Sequence, residues 1–151
     1  MTEIILMTHV IFGMLCILGA VWLFVDVLNA NDSNRSRIRT ISVLIPLAMW
    51  LAYLIGGYWY VVFYGADKAR ILAGPWPFSH SFFMEMKEHV VIMLLLLTTY
   101  LPIAAWHNLD LNKATRKVVL WVTGLIILIG VAMDGAGAII GLGVKVALLQ
   151  Q

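Results

Sequence analysis

The sequence predicts an all-α integral membrane protein: a single up-down-up-down four-helix bundle occupying residues 1–151. Three observations predict it. Hydrophobic residues make up 62% of the chain and charged residues only 12%, with a mean hydropathy of +0.95. Soluble domains carry about 25% charged residues, and half that amount does not cover a water-facing surface. Four apolar runs are each long enough to cross ~30 Å of hydrocarbon, which takes about 20 helical residues. The basic residues gather in the connections between the runs. This composition excludes a cytosolic enzyme, a disordered tail, a nucleic-acid binder and a disulfide-held secreted scaffold. The single cysteine, Cys16, permits no internal disulfide and no thiolate metal cluster, and it reads as a packing residue.

The first run covers about 4–28 and is interrupted by His9 and Asp26. It does not read as a cleaved signal peptide, being too long for an h-region, with Glu3 where a basic n-region belongs. A polar turn with Arg35, Arg37 and Arg39 follows. The second run, about 41–64, has no charge. The connection over 65–79 holds two basic residues, Lys68 and Arg70, and Gly74, Pro75 and Pro77 stiffen it. The third run, about 82–106, confines its charges to its first two turns, and the connection after it carries Lys113, Arg116 and Lys117. The fourth run, about 118–149, is interrupted by Asp134 and Lys145. At ~1.5 Å per residue it exceeds one straight crossing. Its Gly135-Ala136-Gly137 and Gly141-Leu142-Gly143 clusters mark where a bend or tilt is expected. The positive-inside rule puts the two basic connections in the cytoplasm and both termini outside. The expected location is a bacterial or archaeal plasma membrane.

Ionisable residues in lipid point to function, because burying one costs at least ~2.5 kcal/mol. Four segments deliver unusual residues to one layer near the outer surface. His9 comes from the first run, Tyr53, Gly56, Gly57 and Tyr58 from the second, His89 from the third and Asp134 from the fourth. At ~100° per residue, His9, Gly13, Cys16 and Ala20 form one narrow stripe. Two readings of that stripe are open: small residues that let a flat macrocycle lie close to the backbone, or close helix packing of the small-xxx-small kind. Glu85 and His89 share a face. His80 is out of phase with His89 and is expected at the water boundary, where Asp26 and His107 are expected at the opposite one.

The leading ligand is haem b, held axially by His9 and His89 across the core. Lys87, Lys68, Arg70, Trp76 and Tyr58 are at hand for its propionates. The aromatic residues of the second run suit a porphyrin or quinone wall, or equally the aromatic belt of a membrane interface. A second reading is a metal- or proton-handling site without porphyrin, built from His9, Glu85, Glu88, His89 and Asp134. Against it, no Glu-x-x-His repeat stands on a partner helix, and Glu85, Lys87 and Glu88 can simply pair with one another. A third reading is a structural subunit whose polar residues pair helices.

Thr8-His9-Val10 with Gly13, and Met86-Lys87-Glu88-His89 leading into an apolar run, resemble small membrane proteins of the copper-resistance CopD and HemJ-type protoporphyrinogen oxidase kind. In that family these stretches are associated with b-type haem. The resemblance covers the first and third runs. Trp76, His80 and Lys87 stand farther apart than the family's tryptophan and histidine-x-lysine pattern. It therefore implies haem, with His9 and either His89 or Lys87 as axial partners, rather than the oxidase reaction. One haem on the outer side implies electron transfer with a quinone or an external redox protein, or anchoring of a larger redox complex. Any catalysis is expected to be oxidoreductive. A homodimer through the glycine-rich fourth run is a further expectation.

Overall fold

The computed structural model describes residues 2–109 and 111–150. Those residues form α1 (Thr2–Leu28), α2 (Arg35–Val62), α3 (Tyr64–Ala73), a π-helical turn (Ser79–Met84), α4 (Glu85–Ala105) and α5 (Lys113–Leu148). Among the described residues there is no strand. Four helical stretches are long and apolar enough to cross a membrane: Thr2–Leu28, Arg35–Val62, Ser79–Ala105 and Lys113–Leu148.

α1 packs on α2 and α5, and α4 packs on the same two. The four long helices thus form a ring in which α1 and α4 face each other diagonally. Along α1–α2 and along α1–α5, contacts advance on one helix as they retreat on the other. Asp26 meets Arg37, Gly19 meets Ile45 and His9 meets Ala52. Arg116 donates to the Leu28 carbonyl, and farther along Gly124 meets Phe24, Gly130 meets Ile17 and Gly13 meets Asp134. Inside the ring lie Cys16, Ala20, Leu23, Ile45, Leu101 and Ile126, each at most 3% exposed. The outside is apolar as well, with Val61 82%, Trp121 75% and Leu96 68% exposed. The bundle is therefore apolar inside and out, unlike a soluble bundle, which keeps its polar residues on the outer face.

Local chemistry explains the helix boundaries. α2 begins at Arg35 rather than near residue 41 because the polar turn before it is closed by its own side chains. The Asn31 Oδ1 accepts from the Ser33 backbone at 2.9 Å, and the Asn34 Nδ2 donates to the Asp26 and Asn29 carbonyls at 3.1 Å each. That tight hairpin returns Arg37 to a position opposite Asp26. The guanidinium Nε and Nη2 donate to the carboxylate at 2.7 and 2.6 Å. Asp26 is therefore 6% exposed and does not face water as its boundary position suggested, while His107 does remain exposed.

The connection over 65–79 is not simply a stiff loop. Its first half folds into α3, helped by the Asp67–Arg70 pair at 2.9 Å, and it buries Tyr64 and Ile71 against α5 and the π-turn. Gly74 ends the helix, in a gap where an added Cβ would come within 2.8 Å of the Ala147 methyl. α5 runs as one continuous α-helix of 36 residues, about 54 Å at 1.5 Å per residue. Its glycines permit close approach instead of a break, and its length beyond one bilayer crossing supports α3. Asn112 caps its start, accepting from the Ala114 and Thr115 amides at 3.1 and 3.0 Å.

Gly143 shows how tight the outer packing is. A Cβ there would fall on the Ser79 Oγ and lie 2.9 Å from the Ser79 Cβ. Gly143→Ala is expected to destabilise the bundle by about 1–3 kcal/mol through overpacking. Thermal unfolding in detergent measures this, and Ser79→Gly in the same chain should relieve most of it.

Candidate functional site

His9 stands two turns into α1 and points at α2. Its Nδ1–H donates to the Ala52 carbonyl at 2.8 Å, which leaves the Nε2 lone pair directed elsewhere. The ring fits because α2 has no side chain at Gly56, where a Cβ would come within 2.5 Å of Nδ1 and 2.7 Å of Cε1. Across the diagonal, Lys87 turns inward from the first turn of α4. Its Nζ lies over α5 at Gly137, 3.1 Å from where a Cβ would stand. Asp134 sits at the α1–α5 seam beside Gly13, whose Cβ position is 3.8 Å from Oδ1. Lys87 and Asp134 lie near enough to each other and to the His9 ring to interact electrostatically. Three helices thus place an imidazole, an amine and a carboxylate at one level, with glycines on three helices making the room.

His89 is not in this group. Two residues along an α-helix is a turn of ~200°, so with Lys87 inward both Glu85 and His89 face outward. Both are exposed, and the His89 Nδ1–H donates to the Glu85 carbonyl of its own helix at 2.7 Å. His9 and His89 were expected to face each other across the core, but His89 lies on the outer face of α4. Lys87, assigned to propionates, is the residue of this segment that reaches the core. Tyr58 is 55% exposed and sits edge-on to Phe63 at 6.0 Å, away from the layer. Gly13 and Asp134 meet at the α1–α5 seam. The porphyrin-free metal set of Glu85, His89 and Asp134 is divided between an outer face and the seam. Among the described residues no group of three His, Cys, Asp or Glu side chains is placed to hold a metal ion.

A second polar cluster escaped sequence reasoning. His80 is 3% exposed instead of sitting at the water boundary, and its Nδ1 is 3.1 Å from the Tyr64 hydroxyl. Tyr60 stacks on Tyr64 at 5.2 Å, and Glu88 lies beside the Tyr60 hydroxyl. The π-turn causes the discrepancy. Its wider winding shifts every residue before Met84 out of the phase that a regular helix would give. The run Pro77-Phe78-Ser79-His80 after Trp76 was the available signal, since a proline opening a segment rich in small hydroxyl residues marks an irregular start.

No family model, curated protein or solved structure matches this chain.

Proposed function

We propose that the chain is an integral membrane protein whose four spans run up-down-up-down, with the basic connections cytoplasmic and both termini outside. Its working layer is His9, Lys87 and Asp134, and its function is electron transfer through b-type haem, which the His9 imidazole and the Lys87 amine would hold. The observation that carries this reading is the inward approach of His9 and Lys87 from diagonal helices at one depth. The Nδ1 bond to Ala52 sets the tautomer and leaves Nε2 as a ligand, the usual support of a metal-bound imidazole. Haem, when bound, supplies one-electron exchange. Gly56 keeps the His9 ring against α2, Gly137 admits the Lys87 amine, and Asp134 stands at the same level on α5 beside Gly13. The proposed partners are a quinone or a redox protein, with the chain acting alone or as a subunit of a larger complex.

The test is a reduced-minus-oxidised spectrum of the detergent-purified chain from cells supplied with iron. Soret and sharp α bands are expected, and they should vanish in His9→Ala. A colourless wild-type preparation overturns the haem reading. Asp134 favours a second reading in that event: an amine, a carboxylate and an imidazole that exchange protons within the membrane without porphyrin. Proton movement in vesicles that stops in Asp134→Asn would then select it.

A further inference from the structure

At the basic end of the bundle, a groove opens between α4 and α5. Tyr100, Ile103 and His107 line one side and Ala114, Thr115 and Val118 the other, around a volume of about 330 Å³. That is within the range of small-molecule sites, ~300–1,000 Å³. Its polarity is graded with depth. α4 runs toward the basic end and α5 away from it. His107 and Thr115 therefore stand at the mouth, while Ile103, Val118 and Tyr100 lie deeper along the spans. Ile103 is 63% exposed and Val118 42%, so the deep part opens sideways at a level where the spans meet hydrocarbon. What fills a groove open to hydrocarbon is an acyl chain.

Charge identifies the head group. The connection over 107–117 carries Lys113, Arg116 and Lys117 against the single acid Asp110. Arg116 is turned toward α1, where it donates to the Leu28 carbonyl. Lys117 is exposed on the flank adjoining Val118, and His107 is exposed at the mouth. Arg39 of α2 stacks over Trp106 at 5.5 Å and donates to the Trp106 carbonyl at 3.0 Å, so it adds to the positive field of this end without entering the groove. Basic pockets between membrane helices select anionic head groups.

We propose that this groove seats one anionic phospholipid. Its phosphate is held by His107, Thr115 and Lys117, and one acyl chain lies along Ile103 and Val118 toward Tyr100. The proposal does not depend on haem. It is tested by native mass spectrometry of the full chain in detergent, to which phosphatidylglycerol or phosphatidylcholine with the same acyl chains is added. One phosphatidylglycerol molecule is expected to stay bound, at least about fivefold more strongly than phosphatidylcholine. Lys117→Gln with His107→Gln should bring the two lipids to equal retention. Ala114→Trp fills the groove from its exposed rim and should displace both, and Val118→Trp does the same from the deeper side. Equal retention of both lipids by the unaltered chain overturns the proposal. So does undiminished phosphatidylglycerol binding in a folded tryptophan variant, or a groove occupied by co-purified quinone.

Discussion

Lys87→Met is expected to abolish the reduced α band of the purified protein, while His89→Ala leaves it in place. The contrast follows from azimuth. Lys87 faces the His9 side of the core and His89 faces outward, bonded to the Glu85 carbonyl at 2.7 Å. Losing an outer-shell partner of a metal ligand already lowers metal affinity about 10–100-fold, and losing an axial ligand costs at least as much. Haem retention in Lys87→Met should therefore fall by tenfold or more, read from the pyridine haemochrome of equal protein amounts. In His89→Ala, retention should stay within twofold of the unaltered chain, since a change on the outer face of α4 leaves the core groups in place. The reverse pattern, with the band lost in His89→Ala and kept in Lys87→Met, would overturn the assignment and restore the paired-histidine arrangement.

Gly56→Ala is expected to have the second-largest effect, and it does not depend on any cofactor. The new methyl would stand 2.5 Å from the His9 Nδ1, so either the ring leaves Ala52 or α2 moves away from α1. The α1–α2 contact is the most extensive in the bundle. The helices are held there by a close-packed interior, and such overpacking costs about 1–3 kcal/mol. The clash needs both partners. Gly56→Ala in a His9→Ala background should therefore recover most of the lost stability, giving a coupling energy of about 0.5–3 kcal/mol in a double-mutant cycle. Thermal unfolding of the four chains in one detergent measures it. Simple additivity would show that the ring does not occupy the place left by the missing Gly56 side chain.

Much of the bundle was legible in the residues because lipid imposes a simple rule: every backbone group must be satisfied within its own helix, so apolar length reads directly as a span. The runs near 4–28 and 82–106 were placed to within a few residues. α2 and α5 start earlier than expected because Arg35–Arg39 and Lys113–Lys117 are good helix formers on closed turns, a propensity that hydropathy does not see. α3 was missed because it is short, polar on one side and follows directly on the second apolar run, which hides its start; it gains its stability by burying Tyr64 and Ile71 against α5 and the π-turn.

For the layer, depth was legible and direction was not. Counting residues from a span's end placed His9, His89 and Asp134 at one height, since rise per residue is constant. Which of Lys87 and His89 enters the core depends on how α4 is rotated about its axis, and the two possibilities differ by only two residues. Asp26 and His80 teach the same lesson, one buried by a hairpin that brings Arg37 opposite it, the other by a π-turn that shifts its phase.

By itself the sequence determined the helical class, the four helices long and apolar enough to cross a membrane, and where along the chain the basic and polar residues fall. All of these follow from composition and from distance along the chain. The packing of α1, α2, α4 and α5 into a ring decided the rest: which side chains meet, that His9 has Lys87 and Asp134 for company, and that His89 stays outside. Contacts between distant residues depend on the rotation and docking of whole helices. Those are set by many small packing interactions at once, with glycines at Gly56, Gly137 and Gly143 admitting the closest approaches.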